Sequence, residues 1–404
     1  MFQITRMFII IVIREGGEHM TTTANKIKVK KEIYLWAIKE SQKEIEEVKN
    51  KFNKIEDWIS QSYCPTFRQL ENLANFLKIP LGYMFLDKPP KTNIVKSEFR
   101  TIGNKVPSIS KDLYDTLYNM GRKKDWLSDY RRNKGWNKLI PDEYKDLNKK
   151  DFNVISQLAR DYLGLNEFWY KEYKDTRLAF NYLREKFEAK GIIVMQNGIV
   201  GTNTHRNLNV SEFRGFLLYD DIAPLIFINS KDSPNGKIFT LIHEYIHFLL
   251  QEDDIFIDEY QVHKNKNEKK INRITAEFLV PASHINELWN KDKDEIKQIG
   301  VFSRLFHVSK IAVAIKLNDM SIVTQNTVDI IKQKNEVDWE GRDTESNGGN
   351  FYKTSKSRYS NSFVKSVIQG AESGEISYTY AFNLFDGSAK TYDYFKEEIM
   401  GYGE

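Results

Sequence analysis

Cysteine is almost missing from this chain: Cys64 stands alone among 404 residues. One thiol excludes an intrachain disulfide and any zinc site built on several thiolates. It also fits a reducing, cytoplasmic setting. An excess of one charge sign is lacking too. Sixty basic residues against 56 acidic leave a formal +4, so only a local basic face could argue for nucleic acid. No apolar run is long enough for a bilayer. Met7 to Ile13 follows Arg6 as a signal sequence would, but it is far too short to span. Arg14 and Glu15 come straight after it, with no small-residue cleavage site. No membrane partner is expected, and no internal repeat is strong enough to use. What is present is a globular composition, 41% apolar and 13% aromatic, in a length that suits two or three domains.

The start of the chain has its own signature. Gly16-Gly17-Glu18-His19-Met20 back-translates as a ribosome-binding sequence followed by a start codon. Residues 1–28 are therefore expected to be a disordered or mis-called extension, with translation beginning at Met20. Residues 29–90 read as a bundle of short helices. Ile33, Trp36 and Ala37, then Ile45, Val48 and Phe52, recur at helical spacing. Pro65-Thr66 opens a further helix with Pro near its first turn, and Leu70, Leu73, Ala74 and Leu77 form its stripe. The helix ends before Pro80, and Pro89-Pro90 closes the unit. Residues 91–150 read as a helical connector. Their basic run (Arg122, Lys123, Lys124, Arg131, Arg132, Lys134), offset by Asp125 and Asp129, reads as a solvated face ahead of a nucleic-acid patch.

From residue 151 helix and strand alternate. Leu178 to Lys190 is an amphipathic helix stopped by Gly191. Strands are expected at Ile192 to Met195, Phe213 to Tyr219 and Pro224 to Asn229, the last two joined by a turn at Asp220-Asp221. Lys237 to Gln251 and Asn265 to Leu279 are helical, and residues 286–404 are mostly helical with a Gly-rich break at Asn347 to Asn350.

Chemistry concentrates in His243-Glu244-Tyr245-Ile246-His247. Residues four apart on a helix project from one face. Two neutral imidazoles so placed can hold one Zn²⁺ at about 2.0–2.1 Å and leave room for a third ligand and water. Glu244 can accept a proton from water and later deliver it to a leaving amine. With seven histidines in the chain, chance supplies such a motif on the order of 0.01 times. The helix is otherwise almost wholly apolar, from Ile238 to Leu250, and three ionisable groups there are costly unless something binds them.

A third ligand is expected from the next helix, where Glu268 and Glu277 compete. They are nine residues apart, which at about 100° per residue puts them on roughly opposite faces. Glu268 is the preferred ligand, because Asn272 on its face can orient a ligand histidine from outside the coordination shell. Glu277 remains the alternative, otherwise serving a helix–helix contact. His263 reads as a loop histidine, and His205, His284 and His307 have no partner at ligand spacing. Tyr245 and Tyr260 are candidates to donate to an oxyanion.

Several blocks in order, Phe213-Arg214-Gly215-Phe216, Pro224 to Asn229, Phe239 to Glu244 and Asn272 to Pro281, resemble the ImmA/IrrE family of zinc metallopeptidases. The resemblance implies His243 and His247 as ligands, Glu244 as catalytic acid/base and Glu268 as third ligand. The N-terminal unit resembles the Xre-type helix-turn-helix found fused to this peptidase, through Leu35-Trp36-Ala37, Trp58, Pro65-Thr66, Gln69-Leu70, Leu73-Ala74 and Ile79-Pro80. Phe85 to Pro90, Phe99-Arg100 and Asn350-Phe351-Tyr352 also fit the fused form. One segment departs from it. Asn53 to Trp58 would enter the major groove, yet Glu56 and Asp57 oppose phosphate and the turn glycine is replaced around Phe52. DNA and protein docking both stay open, and Trp58 is expected in the bundle core beside Ile55 and Ile59.

The expected architecture is α+β: a small all-α unit (29–90), the connector (91–150), a zincin-like metallopeptidase domain with a small antiparallel or mixed sheet (151–285), and a helical C-terminal domain (286–404). The expected function is a zinc endopeptidase, with manganese as an alternative ion where supply favours it. Its substrate would be a regulatory protein, a repressor or antitoxin encoded nearby, in stress-response, mobile-element or toxin–antitoxin control. A homodimer is compatible with the pattern. The competing reading is a non-catalytic DNA- or protein-binding regulator that uses the same fold as sensor or scaffold.

Overall fold

A computed structural model describes residues 26–41, 43–77, 79, 81–89, 110–251, 266–340 and 351–401. The expectations for residues 1–25, Pro80, Pro90, Phe99-Arg100, Tyr260, His263 and the Gly-rich break lie outside them. The chain divides after residue 91 into two units.

The first unit holds α1 (Lys31–Glu40), α2 (Ile45–Lys51), α3 (Ile55–Ile59), α4 (Phe67–Phe76) and a 3₁₀ turn at Leu81–Phe85. Ile33, Tyr34, Ala37, Val48, Ile55, Trp58, Leu70 and Leu73 form its core. Trp58 is buried with its ring 6.1 Å from Phe52, while Trp36 is only partly covered. Pro65 immediately precedes the N-cap of α4. Thr66 is the N-cap, accepting from the Gln69 amide at 3.3 Å while its own amide donates to Gln69 Oε1 at 2.9 Å. That reciprocal pair satisfies two donors the first turn would otherwise leave bare.

The second unit begins with α5 (Lys111–Asn133), α6 (Phe152–Leu163) and α7 (Thr176–Ala189). Five strands follow: β1 (Ile193–Asn197), β2 (Ile199–Val200), β3 (Asn203–Asn207), β4 (Gly215–Leu218) and β5 (Leu225–Asn229). Next come α8 (Pro234–Leu249), α9 (Lys266–Leu279), α10 (Ala282–Leu288), α11 (Glu295–Leu305), α12 (Lys310–Asp319) and α13 (Gln325–Glu340). The last helices are α14 (Phe351–Arg358), α15 (Asn361–Glu372), α16 (Tyr378–Leu384) and α17 (Ala389–Met400). The main sheet is mixed, in the order β1-β5-β4. Strand β1 runs parallel to β5 with Ile193 opposite Leu225, and β4 runs antiparallel with Phe216 opposite Phe227. Strands β2 and β3 form a separate short hairpin that periodicity did not reveal.

Every residue of β5 is buried, because both faces of the sheet are covered. Alternation sends Val194, Leu217, Ile226 and Ile228 into one core with α6 to α9 and α11 to α13. Ile193, Met195, Phe216, Leu225 and Phe227 enter a second core with α5 and α15 to α17. Helix α5 therefore does not present all of its basic run to solvent. Lys123 is 1% exposed and bonds Asp386 at 2.9 Å, and Arg131 donates to the carbonyls of Gly191 and Ile222. The expectation of a solvated face fails at these two positions because the second core closes over them.

The sheet sets the position of α8 directly. A Cβ at Gly215 would lie 2.5 Å from Thr240 Cγ2 on α8 and 2.7 Å from the Phe227 carbonyl. Only glycine lets the motif helix approach this closely. Among the described residues no single helix is long and apolar enough to cross a membrane.

Candidate metal centre

Helix α8 starts where Ser233 caps it, accepting from the Gly236 amide at 3.0 Å, with Pro234 inside the first turn. Asp232 is buried just before it, held by Arg214 at 3.2 Å and by the Ser233 amide at 2.7 Å. Ile238, Leu241, Ile242, Ile246 and Leu249 anchor the helix in the first core. With the helix fixed in this way, His243 and His247 fall one above the other, 5% and 0% exposed, with rings 4.9 Å apart.

Their Nε2 atoms are 3.1 Å apart. Helix α9 packs against α8 and brings Glu268 to both: Oε2 lies 3.5 Å from His243 Nε2 and Oε1 lies 3.4 Å from His247 Nε2. An ion about 2.0–2.1 Å from each donor would set tetrahedral ligand atoms roughly 3.3 Å apart, close to the spacing between the imidazole nitrogens and between each nitrogen and its nearer carboxylate oxygen. The set His243, His247 and Glu268 is thus a candidate metal-binding group. Burial alone would raise the Glu268 pKa. The hydrogen bond from His243 and the two nearby imidazoles outweigh that and hold it below the usual carboxylate range. Glu244 is 2% exposed, next to the first histidine on the same buried helix.

The remaining candidates are sorted by the packing of α9 and α8. Glu277 lies away from the histidines, in a buried pair with Lys316 of α12, and accepts from the Ala282 amide at 3.1 Å. Arg160 covers the carbonyls of Glu277 and Phe278 at the end of α9, a favourable place for a cation. Asn272 shares the face of Glu268 but is exposed one turn on. Tyr245 is turned into the core, donating to the Ala159 carbonyl at 3.0 Å, with its pKa raised by burial. That geometry removes it as an oxyanion donor.

The other described histidines have structural work or none. His284 Nδ1 meets the Tyr170 hydroxyl at 2.8 Å and its ring stacks on Phe168. His307 bonds the Thr176 hydroxyl and the Tyr170 carbonyl, and burial lowers its pKa. His205 is exposed on β3. Along the sequence Gly215 figures only as part of a family block and Asp232 has no role; the close approach of helix to sheet reveals how they place α8.

Glu268→Ala should weaken metal binding by more than the about 10–100-fold typical of outer-shell changes. Glu277→Ala should leave metal affinity unchanged and instead destabilise the fold by about 3–5 kcal/mol, since it strands Lys316 in the core. Competition with a chromophoric chelator and denaturant titration read the two effects. A metal-free Glu277→Ala protein beside a fully loaded Glu268→Ala protein would reverse the assignment.

Compared with known proteins, residues 187–318 match a peptidase family model described as the IrrE N-terminal-like domain. The match spans β1 to β5 and α8 to α12, and so includes His243, His247 and Glu268; it does not touch the N-terminal unit. No curated protein and no solved structure matches the chain.

Proposed function

We propose that this chain is a zinc endopeptidase of narrow range that cuts a regulatory protein in the cytoplasm. A repressor or antitoxin is the expected substrate, so that cleavage would switch a stress, mobile-element or toxin–antitoxin response. The observation that carries the reading is the convergence of His243, His247 and Glu268 within a domain that matches a peptidase family. Three electron-pair donors this close in a buried site call for a positive centre, and their spacing suits zinc. Manganese remains the alternative where its supply is higher.

When bound, such an ion supplies Lewis acidity, polarising a peptide carbonyl and acidifying water. The two histidines and Glu268 hold it, and helix α8 fixes the angle between the imidazoles. Glu244 is assigned the proton work: its carboxylate takes the proton from the attacking water and returns it to the leaving amine. A purely structural site has no use for a buried carboxylate at that position, which favours catalysis over the sensor or scaffold alternative.

The N-terminal unit is proposed to dock a partner in the manner of a helix-turn-helix domain. Its third helix carries Glu56, paired with Lys49 at 2.8 Å, and Asp57 beside it. Two acids there favour a protein partner over the phosphate backbone. The test is co-expression with each neighbouring gene, followed by intact-mass measurement. One product should appear as two fragments whose masses sum to the parent plus one water. If every neighbour stays intact beside metal-loaded enzyme, the proposed class of substrate falls.

A further inference from the structure

A second concave site lies where β1 and β5 end. The two strands are parallel, with Asn197 opposite Asn229, so their carboxyl ends lie side by side. Crevices outside such ends are common ligand sites in open α/β sheets. Here the crevice is a cavity of about 330 Å³, closed on one side by the first turn of α8 and on the other by α14. Lys231, Lys237 and Arg358 line it, with Ser230 and Ser357 between them, and no carboxylate is among the described lining residues.

Among the described residues no ion pair neutralises these cations. Lys237 Nζ reaches, among the described residues, only the Gln196 side-chain oxygen, at 3.4 Å, and lies 5.0 Å above the Phe180 ring. Arg358 donates to the Gly201 carbonyl at 3.4 Å. Arg184, just behind, donates to the carbonyls of Ser357, Val194 and Tyr359. Burial lowers the pKa of Lys237, and Arg184 presses in the same direction against the opposing pull of Asp232. Burial lowers that of Arg358 as well.

The nearest acids among the described residues are engaged elsewhere. Asp232 is held by Arg214, Glu188 accepts from the amides of Asn361 and Ser362, and Asp386 accepts from Lys123, Asn119 and Tyr359. Space is also kept open at the turn. A Cβ on Gly198 would sit 2.8 Å from Ser230 Oγ and 3.0 Å from the Lys231 stem.

We propose that this cavity binds a phosphoryl group, as free phosphate or as the phosphate of a small metabolite, through Lys231, Lys237 and Arg358. Three cations exceed what a single carboxylate would balance, whereas a dianion with several acceptor oxygens can use the charges and the hydroxyls together. The cavity joins the strands of the peptidase-like domain to α14, so an occupant would tie that C-terminal helix to the sheet and to the start of the motif helix.

Calorimetric titration of the full chain with inorganic phosphate, at constant ionic strength against chloride, tests this. Binding to a single site per chain is expected, and Lys237→Gln or Arg358→Gln should weaken it about tenfold or more, as loss of a charge-assisted contact does. Lys231 is exposed, so Lys231→Gln gives a third variant that leaves the fold alone. Binding must persist in the metal-free His243→Ala chain, which separates this site from phosphate held at the metal centre. Tighter binding of adenosine 5′-monophosphate would identify a phosphorylated metabolite as the source, and equal or weaker binding would identify free phosphate. A heat no greater than the chloride control, an affinity unchanged in the Lys231→Gln/Lys237→Gln/Arg358→Gln protein, or loss of binding in His243→Ala overturns the proposal.

Discussion

Purified parent protein should carry close to one zinc per chain, and His243→Ala or His247→Ala should carry almost none. The two imidazoles form one edge of the donor triangle, 3.1 Å between Nε2 atoms. Removing either leaves a single histidine and Glu268, too few protein ligands for a tight site. Elemental analysis after gel filtration reads the result, and far-UV circular dichroism checks that α8 survives. Since both side chains are buried, alanine also opens a small cavity, so a modest fall in melting temperature is expected alongside the lost metal. Near-stoichiometric zinc in the double variant would end the ligand assignment.

Glu244→Gln should keep the metal and lose proteolysis by about 10²–10⁴-fold, the usual contribution of a positioned acid/base group. Glutamine fills the same space in the buried helix, so packing is preserved, but an amide cannot accept the proton from water. The measurement is the rate of fragment formation from the substrate identified by co-expression, with bound metal determined on the same sample. Parent-like cleavage by Glu244→Gln would remove the carboxylate from the mechanism. Parent-like activity in cells without any cleavage would favour the scaffold reading. The two His variants and Glu244→Gln therefore separate holding the ion from using it.

Much of the site could be read along the chain because its parts are local. The four-residue spacing of His243 and His247 puts both on one helical face whatever surrounds the helix. The apolar residues from Ile238 to Leu250 announce that the helix is buried, and the apolar run of β5 announces a strand. A small sheet and the mainly helical remainder follow from the same periodicities, whereas the mixed pairing was one of two arrangements left open. The short β2–β3 hairpin escaped because its exposed polar residues, Asn203 to Asn207, carry no apolar alternation to detect.

What the sequence determined by itself is therefore the motif helix, the three strands of the main sheet and the two acids that could complete the site. The opposite placement of Glu268 and Glu277 on α9 was also local, a matter of about 100° per residue. Which of those faces meets α8 was decided only by tertiary packing. Burial of Ile271, Ile274 and Phe278 in the core sets the rotation of α9, giving Glu268 to the histidines and Glu277 to Lys316. The same packing leaves Asn272 in solvent, turns Tyr245 toward Ala159, and buries Lys123 and Arg131 in a run of charge that reads as surface. Periodicity records which residues share a face; the partner that a face meets depends on segments distant in sequence, and no local pattern encodes that choice.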